Sequence, residues 1–131
     1  MKQSVSRGYR QMFSSGVAVI FGLMTLIVGT RVLVGVDPGY QVFLPLLIYN
    51  TLMGAVYIAA GIAIWFSLRR GTSAAATIFT CNILVLAVIG YLFTNGADIA
   101  IESVRAMTLR TVVWLVLCVV LSWERRRQAR T

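Results

Sequence analysis

Cut at its charged residues, the chain falls into four long apolar stretches with short polar connections between them. The stretches cover residues 16–34, 42–68, 74–93 and 106–122, each close to the roughly 20 residues that a helix needs to cross about 30 Å of hydrocarbon. The connections are 35–41, carrying Asp37-Pro38-Gly39, then 69–73, then 94–105, opened by Asn95-Gly96. Gly, Pro and Asn in such runs mark turns, and turns this short hold successive helices antiparallel. The pattern therefore predicts an all-α membrane protein in one domain over 1–131, a four-helix transmembrane bundle running up-down-up-down. Lys2, Arg7 and Arg10 precede the first stretch as they would in a signal peptide. Its apolar run is longer than a signal h-region and no small-x-small cleavage site follows, so it reads as a retained helix.

Lipid supplies no hydrophobic drive for one helix to bind another, and close backbone approach at small residues takes its place. Gly22 and Gly29 are seven residues apart in the first span, with Gly16 before them, and Gly54 and Gly61 repeat that spacing in the second among Ala55, Ala59, Ala60 and Ala63. Seven residues return to nearly the same helix face, so these glycines predict that spans one and two pack on each other. The alternative is that some are incidental, since glycine is common in membrane helices. Pro45 falls in a first helical turn, where its missing N–H costs nothing. Trp65, Trp123 and Tyr40 stand at span ends, where amphipathic rings anchor at the headgroups.

Composition agrees with the pattern. The chain is 59% hydrophobic and 12% charged, with mean hydropathy +0.84, against about 25% charged in an ordinary soluble domain. Too little polar surface remains to cover a water-soluble particle. The net charge of +8 is one-sided. It resides in the first tail (Lys2, Arg7, Arg10), the second connection (Arg69, Arg70) and the last tail (Arg125, Arg126, Arg127 and Arg130 against Glu124), while Arg31, Arg105 and Arg110 on the other face are balanced by Asp37, Asp98 and Glu102. Positive residues beside spans stay cytoplasmic, so both termini are expected inside, in a bacterial plasma (inner) membrane. Basic residues at such a surface each gain about 1 kcal/mol from anionic lipid. That lipid, rather than nucleic acid, is the expected partner of the tails.

Arg110 changes the picture most. Trp123, at the cytoplasmic end of the fourth span, is thirteen residues further on, or about 20 Å at 1.5 Å per residue, which places Arg110 inside the hydrocarbon. A charge there costs at least a few kcal/mol and faces the bundle, a cavity, or snorkels outward. Glu102, Asp98 and Asp37 are its candidate counter-ions, with Asn50 and Tyr49 as neutral alternatives. Glu102 and Arg105 share a face if the helix begins early, and Arg31 can join them. Read functionally, Arg110, Glu102, Arg105, Asp98 and Arg31 form an outer polar cluster able to bind an anion or a quinone-like headgroup, or to relay protons. Read structurally, they neutralise one another and, with Thr108, Thr111 and Trp114, fix how span four meets span one. The charge balance favours the structural reading. Asn82, with Thr77, Thr80 and Cys81, makes a mid-span polar patch suited to bonding across to another helix.

No His is present, Cys81 and Cys118 lie in separate spans outside any CxxC motif, and no phosphate loop, zinc motif or nucleophile elbow occurs. The expectation is no cofactor, no metal and no catalytic residue. Residues 50–76, with Gly54, Gly61, Arg69-Arg70 and Ala74-Ala75-Ala76, resemble the second-to-third helix region of DoxX-like four-helix membrane proteins. That resemblance covers about a fifth of the chain. It implies a small bundle associated with membrane electron-transfer systems, without a cofactor of its own. Together these features predict a non-catalytic accessory or assembly subunit that binds other transmembrane helices, in a hetero-complex or as a homo-oligomer. The alternatives are a small homo-oligomeric transporter or channel for an anion or other polar solute, built around Arg110, and a quinone- or lipid-binding subunit.

Overall fold

The computed structural model describes residues 8–130, so Lys2 and Arg7, counted in the charge bias, lie outside the described residues. Four helices account for nearly all of it: α1 (Tyr9–Leu33), α2 (Leu44–Phe66), α3 (Leu68–Thr94) and α4 (Ile101–Ala129). Each is long and apolar enough to cross a membrane. The protein is thus an all-helical bundle of multi-pass membrane type.

Helices α1, α3 and α4 run beyond the apolar stretches into charged sequence, because charge does not end a helix, while α2 stops short of its stretch at both ends. Arg10, Arg69, Arg70, Glu102, Arg105 and the terminal arginines all sit on helical backbone. The turn expected over 69–73 is absent, and Ser67 alone joins α2 to α3. Its backbone is extended at φ −151°, and its hydroxyl accepts a hydrogen bond from the Arg70 amide at 3.2 Å, satisfying one of the free donors of a helix start. Gly71 permits the sharp reversal, because a Cβ there would stand 2.6 Å from the Ile64 Cα. In the first connection the Gly39 amide donates to the Asp37 carboxylate at 2.9 Å with Gly39 at φ +88°, a turn that only glycine enters without strain.

The buried stripe of α1 inverts the pattern of a soluble helix. Gln11, Ser14, Ser15, Ala18, Gly22, Thr25 and Gly29 face inward, while Ile20, Leu23, Met24, Ile27 and Val28 face outward. In lipid the apolar side chains need no burial, and the small or hydrogen-bonding ones are the ones that hold helices together. Opposite α1 lies α2, in reverse order: Gly61 meets Ser15 and Val19, Gly54 meets Gly22 and Leu26, and Thr51 meets Gly29. A Cβ on Gly22 would stand 2.7 Å from the Gly54 carbonyl oxygen, and one on Gly54 would stand 2.8 Å from the Leu26 amide nitrogen. The two backbones touch. The Gln11 amide and the Ser15 hydroxyl add 2.7 Å bonds to the carbonyls of Ile64 and Gly61. Gly16, by contrast, has open space around it.

Two apolar clusters fill the interior. One gathers Ala18, Tyr57, Ile64, Ile78, Trp114 and Leu121, and the other Leu46, Ile89, Ile99 and Met107.

Candidate functional site

Tyr57 is the residue at which all four helices meet. It is fully buried on α2, stacks on Phe21 of α1 at 5.6 Å between ring centres, and lies against Trp114 of α4 at 5.0 Å. Its hydroxyl accepts from the Asn82 amide of α3 at 3.1 Å, while the Tyr49 hydroxyl donates to the Asn82 carbonyl oxygen at 2.8 Å. Asn82 is itself fully buried, so its bonds run entirely to α2. The rest of the mid-span patch does not share in this. Thr77 and Thr80 are exposed and bond their own helix at Ser73 and Ala76, and Cys81 and Cys118 are free thiols. A threonine hydroxyl reaches the carbonyl one turn back without a partner helix, which is why these positions carry no interhelical information. Nothing in the sequence distinguished Tyr57 from the other tyrosines, because its role rests on three neighbours that only packing supplies.

Beside this hub, toward the connection between α1 and α2, lies a cavity of about 70 Å³. Thr25 and Gly29 of α1, Tyr40 of the connection, Leu46 and Asn50 of α2, and Ser103 and Arg110 of α4 are among its lining residues. Arg110 Nε and Asn50 Oδ1 are both buried and lack a hydrogen-bond partner. Arg110 therefore lies beside its neutral candidate Asn50 and is paired with no carboxylate among the described residues.

The charged cluster expected around Arg110 does not assemble. Arg31, Asp98, Glu102 and Arg105 are exposed, and none takes part in an ion pair among the described residues. Glu102 precedes Arg110 by eight residues, about 12 Å along the axis, which is too far up the helix to reach it. Glu102 and Arg105 do not pair either, since an exposed pair gains only about 0–1 kcal/mol over separate hydration. The proposed seam also divides: Thr111 and Trp114 are buried, but Thr108 faces outward and bonds Val104.

The carboxylate that does pair is Glu124, in the basic C-terminal stretch. It is buried and meets Arg10 at 3.4 Å and the Gln128 amide at 3.2 Å, and Arg10 also lies 4.3 Å over the ring of Trp123. In the sequence Arg10 and Glu124 are legible only as contributions to net charge. Their one sequence signal is a lone acid among four arginines. No group of His, Cys, Asp or Glu suited to a metal ion occurs among the described residues.

No protein-family model, curated protein or solved structure matches this chain.

Proposed function

We propose that this protein is a non-catalytic accessory or assembly subunit of a larger membrane complex, docking a transmembrane helix of a different partner protein against α2 and α3. The observation that carries this reading is a lateral groove of about 300 Å³ walled by Val56, Ala59, Ala60 and Ala63 of α2 and Ala74 and Thr77 of α3. Ala59 and Thr77 are exposed there. The α1–α2 pair illustrates what small-residue grooves of this chain accept, namely another helix in backbone contact. Few of the described residues lie outside the helices, which fits a protein whose partners are other helices. The antiparallel order, both termini cytoplasmic and a bacterial plasma membrane form part of this reading, supported by the one-sided charge. The DoxX-like resemblance of residues 50–76 points the same way.

The test is extraction in gentle detergent from native membrane, native-gel separation and mass spectrometry, run on wild type and on Ala59→Leu and Ala63→Leu. A defined partner of other sequence that co-migrates with wild type and is lost from both variants, with their Tm unchanged, is the expected result. A band of this chain alone, at a small multiple of 14.4 kDa, overturns it.

One observation favours a second reading, a homo-oligomeric transporter or channel for a small anion: Arg110 inside the bundle with no carboxylate beside it. Against a path through a single chain stands the packed core of Tyr57, Trp114, Ile64 and Leu121. Liposome flux that Arg110→Gln abolishes is the result that selects it.

A further inference from the structure

The Arg110 cavity presents an unusual chemical set for its place in an apolar bundle. One permanent cation, three hydroxyls (Thr25, Tyr40, Ser103) and one amide (Asn50) line it, and no carboxylate does. Ordinary packing leaves neither a buried guanidinium nitrogen nor a buried amide oxygen unsatisfied, yet both occur here, on two helices, in residues that line one space. Water alone would bond both groups but would leave the charge uncompensated in the low-dielectric interior. An occupant that serves both residues carries negative charge for Arg110 and a proton for Asn50 Oδ1. A carboxylate or chloride has the first and lacks the second. A phosphate bearing one P–OH has both, and its remaining oxygens accept from Thr25, Tyr40 and Ser103. Size sets a further limit. A space of about 70 Å³ holds several water molecules, at about 10–15 Å³ each on this measure, and is small beside the ~300–1,000 Å³ of sites for drug-sized ligands, which suits a single oxyanion group.

We propose that the cavity between Arg110 and Asn50 binds one phosphate monoester-type oxyanion, with Arg110 supplying the charge and Asn50 accepting the P–OH proton in a hydrogen bond. Two sources offer that chemistry: free inorganic phosphate, and the headgroup of a lipid phosphomonoester such as phosphatidic acid. This inference is independent of the helix-docking reading, because the α2–α3 groove shares no residue with the cavity.

The experiment measures Tm of the full chain in a maltoside detergent, after removal of phospholipid verified by phosphorus assay. Inorganic phosphate is titrated against chloride and against acetate at equal ionic strength, and phosphatidic acid against diacylglycerol of the same tails. Binding to the folded state raises Tm with ligand concentration. The expected result is a rise with phosphate, with phosphatidic acid, or with both, and the arm that responds names the source. Arg110→Gln abolishes it, and Arg31→Gln, outside the cavity lining, retains it. Asn50→Asp, which puts a carboxylate beside Arg110, is expected to abolish the response while raising Tm in phosphate-free detergent. That variant keeps the test decisive if Arg110→Gln fails to fold. No rise beyond the controls, an equal rise with acetate, or an undiminished response in Asn50→Asp overturns the proposal.

Discussion

Arg10 and Glu124 stand 114 positions apart in the chain and 3.4 Å apart in the fold, joining the start of α1 to the end of α4. The pair is lopsided: the Arg10 side chain is 40% exposed and the Glu124 side chain 7%. Glu124 depends on its partner more than Arg10 does, because Arg10 also has water and the Trp123 ring.

Removing the two halves should therefore cost different amounts. Arg10→Ala strands a buried carboxylate whose remaining hydrogen-bond partner among the described residues is Gln128, and is expected to lose about 1–2 kcal/mol, after allowance for the solvent already reaching the pair. Glu124→Ala should lose less. Unfolding in mixed micelles checks the order of the two, and equal losses would contradict the asymmetry.

The helical glycines should separate into two classes. Gly22→Ala places a Cβ 2.7–2.8 Å from backbone atoms of Gly54 and Ile58, which neither helix can move without parting, so a loss of about 1–3 kcal/mol is expected. Gly16→Ala and Gly90→Ala meet nothing within 4 Å. Each should be neutral or gain up to about 1 kcal/mol from better helix propensity. Thermal melts of the three variants decide whether contact, rather than glycine itself, sets the outcome.

Asn82→Ala removes the bonds to both Tyr49 and Tyr57. Interhelical hydrogen bonds in membranes contribute about 0.6 kcal/mol on average and up to about 1.7, so a loss of about 1–2 kcal/mol is expected. Tyr57→Phe should cost less, since the ring keeps its contacts with Phe21 and Trp114. In the double variant the two losses should fall short of their sum, because they share one bond.

With Cys81 and Cys118 replaced by alanine, a single cysteine at Gln41 or Asp98, both exposed, should react with an impermeant maleimide from outside intact cells. One at Gln128 should react only after lysis. Labelling of Gln128→Cys in intact cells would overturn the cytoplasmic placement of the C-terminus.

What the sequence by itself determined was the solvent and the elements. Four apolar runs of spanning length admit only helices in lipid, since a backbone in hydrocarbon must satisfy its own hydrogen bonds, and four such helices are what the fold contains. Their ends were less legible: α3 begins at Leu68 through its own arginines, because the Ser67 cap, not charge, marks the boundary. Polar residues were easy to find and hard to pair. Arg110 and Asn82 were evident as hydrophilic positions in apolar runs, but a one-dimensional pattern carries no distance between helices. Only the tertiary structure brought Asn82 to Tyr57, left Arg110 beside Asn50 instead of Glu102, and set Glu124 against Arg10. Each of these depends on the register and rotation of one helix against another, and those are set by a few small-residue contacts such as Gly22 with Gly54 rather than by the local sequence around the polar residue.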